Sequence, residues 1–181
     1  MQWRNNTQRY GALSIALHWG MLLLLAAVYA CMELKGIFPR GSDAREAMKT
    51  WHFMLGLSVL ALVLLRLALF ISSPVPRIVP EPPRLQTWVA MLMKIALYAF
   101  MLLTPLAGWL VLSAKGSAIP FFGLQLPALM AENADAADWI KEIHETVATA
   151  GYFLIGAHAL AALYHHYLVR DNTLQRILPQ R

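Results

Sequence analysis

Cysteine and charge are both scarce in this 181-residue chain. Cys31 is the only cysteine, so no internal disulfide and no multi-cysteine metal site can form. Charged residues make up 14% of the chain, against about 25% in an ordinary globular protein. Acidic side chains are missing from the interior of every long apolar run, which weighs against cation transport and proton pumping. Internal repeats and low-complexity tracts are missing too. What is abundant is apolar: 59% of residues are hydrophobic and the mean hydropathy is +0.51. Together these features exclude a disordered chain, a disulfide scaffold and a soluble enzyme of the usual kind. The net charge of +5 needs no nucleic-acid partner, because basic membrane edges produce it.

Apolar runs fall at about 12–34, 50–71, 88–112 and 143–168, each long enough to cross a hydrocarbon core about 30 Å thick. They predict an all-α, integral membrane four-helix bundle, with residues 1–181 forming a single membrane domain. Arg4 and Arg9 precede the first run as in a signal peptide. That run is too long for an h-region and lacks a small-x-small cleavage site, so it is read as a retained helix. Loop chemistry separates the runs: Gly36, Pro39, Gly41 and Ser42 first, then Pro74 to Pro83, then Gly116, Pro120, Pro127 and the acidic stretch Glu132 to Asp138. Pro105 sits inside the third span, where a kink is expected while neighbouring helices cover the freed carbonyl.

Charge orients the bundle. Arg4, Arg9, Arg66, Arg77, Arg84, Lys94, Arg170, Arg176 and Arg181 fall on one side, opposed there only by Glu81 and Asp171. The other side holds Lys35, Arg40, Arg45, Lys49, Lys115 and Lys141 against eight acids. A net +7 thus faces a net −2, and the positive-inside rule puts both termini in the cytoplasm.

All six histidines, His18, His52, His144, His158, His165 and His166, lie within the spans. One such histidine alone would be read as an interhelical hydrogen bond. Four at matched depths are different. His52 and His144 lie toward the outer face, and His18 and His158 match at inner depth. His144 and His158 are separated by fourteen residues, about 21 Å of rise, and project from nearly one face of the fourth helix. Gly151 is midway between them on that face, and Gly56 one turn beyond His52; both are expected to leave room for a flat, bulky group. Two stacked histidine pairs are what two bis-histidine b-type haems require. A zinc or other divalent site competes with this reading, but a closed ion site wants three or four ligands together, and here depth divides them two and two.

His165 is seven residues past His158, near the same face and closer to the cytoplasm, where it is placed to hydrogen-bond a quinone headgroup and relay a proton. The plainer reading makes His165, His166, Tyr164 and Tyr167 an interfacial belt. Lys49 and Lys141 each precede an outer histidine by three residues and, with Lys115, are candidates to draw an anion inward. Ordinary snorkelling is the alternative for each lysine. Arg66 and Lys94 near the inner ends are placed for snorkelling or for haem propionates.

The histidine layout and the fourth-span start (Lys141, His144, Glu145, Gly151-Tyr152) resemble the bacterial cytochrome b561 family, in particular its four-helix di-haem superoxide oxidases. The tail Ala162-Leu163-Tyr164-His165-His166-Tyr167, followed by Asp171-Asn172-Thr173-Leu174, carries the same likeness. So does the first outer loop, with Met32-Glu33, Gly36 and Phe38-Pro39-Arg40. The resemblance spans nearly the whole chain. It implies haem iron ligated by His52 and His144 at the outer site and by His18 and His158 at the inner site. It also implies a multi-pass protein of the bacterial inner membrane that oxidises superoxide at the periplasmic side and reduces ubiquinone. Short connections with no large soluble insertion favour a self-contained unit, with no protein partner required. The eukaryotic ascorbate-dependent b561 proteins have six helices, so their activity does not carry over. Two other functions remain open: a cytochrome b subunit linking quinone to a partner dehydrogenase or hydrogenase, and a histidine-lined metal carrier.

Overall fold

A computed structural model describes residues 2–179, so Arg181, counted above with the basic side, lies outside the described residues. Four long helices run up and down: α1 (Ala12–Leu34), α2 (Asp43–Ser72), α3 (Arg84–Ala114) and α4 (Ala134–Tyr164). All four are long and apolar enough to cross a membrane. Close backbone packing joins α1 to α2, α2 to α3 and α3 to α4. The buried core is a mid-bundle layer of Met21, Val59, Val63, Phe100 and Met101.

The apolar run of the first span coincides with α1, but α2 starts seven residues before its run and α4 nine before. Hydropathy marks where lipid begins, and these helices begin earlier, in water. Ser42 caps α2 by accepting from Arg45 N, and Asp43 and Glu46 sit in its first turn, where carboxylates suit the helix dipole. Asn133 caps α4 in the same way, with Asp135 in the first turn. The acidic stretch expected to be loop, Glu132 to Asp138, is therefore mostly helix. In α3 the helix runs unbroken through Pro105.

The α3–α4 connection contains a hairpin that hydropathy gave no sign of, with β1 (Pro120–Phe121) antiparallel to β2 (Leu124–Gln125). It seats on a small cluster of Leu57, Leu112 and Ile119, with Phe53 and Trp109 alongside. We call this the hairpin end of the bundle.

The opposite, terminal end is closed by three segments. Trp19 Nε1 donates to the Ile177 carbonyl at 2.9 Å, and Arg77 N to the Thr7 carbonyl at 3.0 Å. Asn172 clasps the α2–α3 connection reciprocally: its backbone N–H donates to the Val79 carbonyl (3.1 Å) and its side-chain Oδ1 accepts from Val79 N (2.9 Å). Arg176 adds a hydrogen bond to the Pro76 carbonyl and lies over the Tyr10 ring. After α4 the chain makes one π-helical turn, His165–Val169, stopped by Arg170 in the left-handed region (φ 60°).

A candidate di-haem site

The two histidine pairs expected from depth are brought together. His52 of α2 and His144 of α4 face each other near the hairpin end with ring centres 6.2 Å apart. His18 of α1 and His158 of α4 face each other near the terminal end at 6.3 Å. Imidazole nitrogen bonds a first-row metal at about 2 Å. Adding the offset from nitrogen to ring centre on each side, a single ion held between two imidazoles spaces their centres by roughly 6 Å. Both pairs meet that spacing. Among the described residues no cluster of three or more His, Cys, Asp or Glu side chains is placed to hold a metal ion. Two-ligand sites of this kind suit an ion whose other positions are already filled by a macrocycle.

Main-chain partners orient the outer pair. His52 Nδ1 lies 3.1 Å from the Val28 carbonyl and His144 Nδ1 2.9 Å from the Thr104 carbonyl. A carbonyl only accepts, so both protons sit on Nδ1 and each Nε2 keeps its lone pair for a metal. Gly108 makes this approach possible, since a Cβ there would sit 3.2 Å from His144 Cε1. A groove of about 640 Å³ between α3 and α4 opens beside His144, lined by small residues including Ala99, Ala107 and Ala150. Thr104 Oγ1 also borders it, buried without a hydrogen-bond partner. At Gly56 a Cβ would meet no atom within 4 Å beyond its own chain neighbours and helix backbone. These residues fit a b-type haem.

The inner pair is less prepared. His18 Nδ1 lies 3.3 Å from an Arg66 guanidinium nitrogen. Guanidinium can only donate, so Nδ1 accepts and the proton is on Nε2. Iron ligation through Nε2 would need the opposite tautomer, so Arg66 would have to release the ring and would then be free to meet a propionate.

Gly151 departs from expectation. The space a Cβ would take is filled by the Tyr29 hydroxyl and by Phe100, whose Cζ would be 2.5 Å away. Tyr29 in turn donates to the Ala148 carbonyl at 2.6 Å. Gly151 thus admits two aromatic rings at mid-bundle, between the histidine pairs, and also lines the groove beside His144.

The remaining candidates separate by partner. Lys49 pairs with Glu46 at 2.7 Å and Lys141 with Glu145 at 3.1 Å, each one helical turn away. Lys115 is exposed and makes no ion pair among the described residues. Lys35, which depth matching passed over, is similarly free, its ammonium resting against Met32 Sδ at 3.7 Å. At the terminal end, His165 Nδ1 meets Asp171 Oδ2 at 2.6 Å. Burial alone would raise the Asp171 pKa, but hydrogen bonds from His165 and Thr173 outweigh it and hold the carboxyl below its ordinary value. His166 Nδ1 is buried without a partner. Lys94 is exposed.

A membrane four-helix bundle with facing histidine pairs at two depths is the architecture of a membrane-bound b-type cytochrome. The comparisons with known proteins agree: the family model for prokaryotic cytochrome b561 matches residues 9–180, and the chain belongs to that family. It is similar to cytochrome b561 homolog 1 of Escherichia coli K12, 43% identical over 173 residues that cover 96% of this chain and 98% of the relative. It is also similar to the probable superoxide oxidase CybB of Yersinia pestis, at 37% over 174 residues (96% and 98%). Cytochrome b561 homolog 2 of Escherichia coli K12 is 26% identical over 179 residues (98% and 95%). The protein is therefore a multi-pass bacterial membrane cytochrome of redox function whose family implies b-type haem.

Proposed function

We propose that this cytochrome is a superoxide oxidase of the bacterial inner membrane. In this reading it oxidises superoxide to oxygen at its periplasmic, hairpin end and reduces ubiquinone near its cytoplasmic, terminal end, using two haems held by His52 with His144 and by His18 with His158. The observation that carries it is the pair of matched histidine spacings on one shared helix, α4. The likeness to a probable superoxide oxidase supports the substrate. When bound, b-type haem supplies the one-electron chemistry that no side chain here can perform.

The rest is the work of the chain. The Val28 and Thr104 carbonyls hold His52 and His144 in the metal-binding tautomer. Tyr29 and Phe100 fill the layer between the two pairs and keep water out of it. Superoxide is an anion, and the net charge of the hairpin end is slightly acidic, so attraction must be local. Lys115 and Lys35 carry most of it, while Glu46 and Glu145 partly neutralise Lys49 and Lys141. His165 meets the quinone headgroup. Two superoxide ions and two protons convert one quinone to quinol and release two oxygen molecules.

Anaerobic spectroscopy of the haem-loaded protein tests the proposal. Superoxide should bring up the reduced low-spin spectrum, and added ubiquinone should discharge it with quinol formed at one per two superoxide. A spectrum that superoxide leaves unchanged refutes the assignment.

A further inference from the structure

The Asp171-Asn172-Thr173-Leu174 tail singled out in the sequence has a structural role that the proposed electron path does not use. Asp171 is the sole acid in the tail and is buried: its side chain has no exposed surface, while that of His165 is 19% exposed. Oδ2 meets His165 Nδ1 at 2.6 Å, and Oδ1 accepts from Thr173 N at 2.8 Å. The backbone closes the same loop, with Asp171 N donating to the His165 carbonyl at 3.2 Å. The π-helical turn and left-handed Arg170 bring the chain back so that a residue six positions on faces the ring. Asn172 then fixes this loop to the α2–α3 connection through Val79. Such a restrained contact does more than cap a helix.

We propose that Asp171 is the positioning residue that makes His165 a proton donor to the quinone through Nε2. The inference rests on the superoxide:quinone reading above. A carboxylate accepts only, so Asp171 assigns the His165 Nδ1 proton and leaves Nε2 as the nitrogen available to a ligand. A quinone oxygen is an acceptor and needs an N–H, so the productive form is imidazolium. Asp171 makes that form part of a neutral pair at the membrane edge. On reduction, the Nε2–H bond breaks and a quinol O–H bond forms, leaving neutral imidazole. Superoxide is the reductant, supplying two electrons in two turnovers, and water at the terminal end supplies the second proton and restores the first. Orientation and charge come from Asp171, whereas the contact with quinone belongs to His165.

The test uses haem-loaded protein in detergent, with superoxide as reductant and a short-chain ubiquinone as acceptor. Asp171→Asn should lower the kcat of quinol formation about 10–100-fold, the usual effect of removing a partner that orients a functional histidine. KM should change far less, and haem reduction by superoxide at the other end should keep its rate. Asp171→Glu should restore most of the kcat. The double variant Asp171→Asn with His165→Gln should be no slower than His165→Gln alone, since the carboxylate acts only through the ring. Nitrogen-15 histidine spectra of the unaltered protein, assigned with His165→Gln, should contain one strongly hydrogen-bonded Nδ1 proton from His165. Its absence overturns the proposal even if Asp171→Asn fails to fold. Quinol formation by the unaltered protein with an unchanged kcat in Asp171→Asn overturns the proposal alone. Failure of the unaltered protein to form quinol overturns the functional reading and this inference with it.

Discussion

Replacing Gly151 with alanine separates two accounts of why a glycine lies midway between the histidine pairs. Sequence spacing made it room for a cofactor; the structure fills that room with Tyr29 and Phe100. An alanine methyl would overlap the Tyr29 hydroxyl and sit 2.5 Å from Phe100 Cζ and 2.6 Å from Cε2. Carbon atoms do not approach so closely, so one ring must leave. Overpacking of this kind costs about 1–3 kcal/mol. If Tyr29 yields, its 2.6 Å hydrogen bond to the Ala148 carbonyl is lost as well, adding about 1 kcal/mol. The sum is about 2–4 kcal/mol. For a chain of this size each kcal/mol lowers Tm by about 2–4 °C, so a drop of roughly 4–16 °C is expected. Thermal unfolding of the haem-loaded variant in detergent, followed by tryptophan fluorescence, reads it directly. Haem content at low temperature should stay at that of the unaltered protein. An unchanged Tm together with lost haem would refute the packing account and restore the cofactor one.

Other perturbations bear on the rest of the molecule. His52→Ala should halve haem content and abolish reduction by superoxide while sparing the inner spectrum; equal loss of both haems would contradict the pairing by depth. Lys115→Gln should slow superoxide capture severalfold at low ionic strength and hardly at all at high salt, because an exposed charge is screened beyond about 10 Å at 0.1 M; a salt-independent rate ratio would count against steering. Asp171 has a pKa held below its ordinary value, so its stabilising contribution is complete above about pH 4 and is lost as pH falls through the lower folded value. Limited proteolysis of the tail should therefore not change from neutral pH down to about 5, and release beginning near neutrality would refute this. Asn172→Ala removes the side-chain half of the clasp on Val79, an exposed contact, while its backbone N–H keeps the other half, and should cost only about 0.5–1.5 kcal/mol in a denaturation midpoint.

Much of this architecture is legible in the sequence for a physical reason: lipid imposes a length and a polarity that single residues cannot evade. The start and end of α1 and the pairing of His52 with His144 and His18 with His158 follow from depth alone. Helix ends in water escape the same logic, so α2 and α4 begin at Ser42 and Asn133 caps ahead of the apolar runs. Main-chain acceptors have no letter of their own, and the carbonyls of Val28 and Thr104 emerge only once helices are packed. The lysines add a different point. Lys49 and Lys141 each precede a histidine by three residues in sequence, and in the fold they pair with glutamates three and four residues away. A signal for the Asp171 contact was present in the tail motif, but a six-residue return through a π turn is not a helical spacing and could not be placed by counting.

His144, Gly151 and His158 follow one another at seven-residue steps along α4, and His165 continues the step as the first residue of the π-helical turn. That series acts as a ruler. Inserting or deleting one residue within it would turn everything beyond by about 100° and shift it by about 1.5 Å, moving one histidine out of line with the next. Substitutions around these positions are tolerable where packing allows, but length is not negotiable. Variation in chain length among proteins built this way should therefore collect in the connections and the termini, and α4 between its first and last histidine should keep its count.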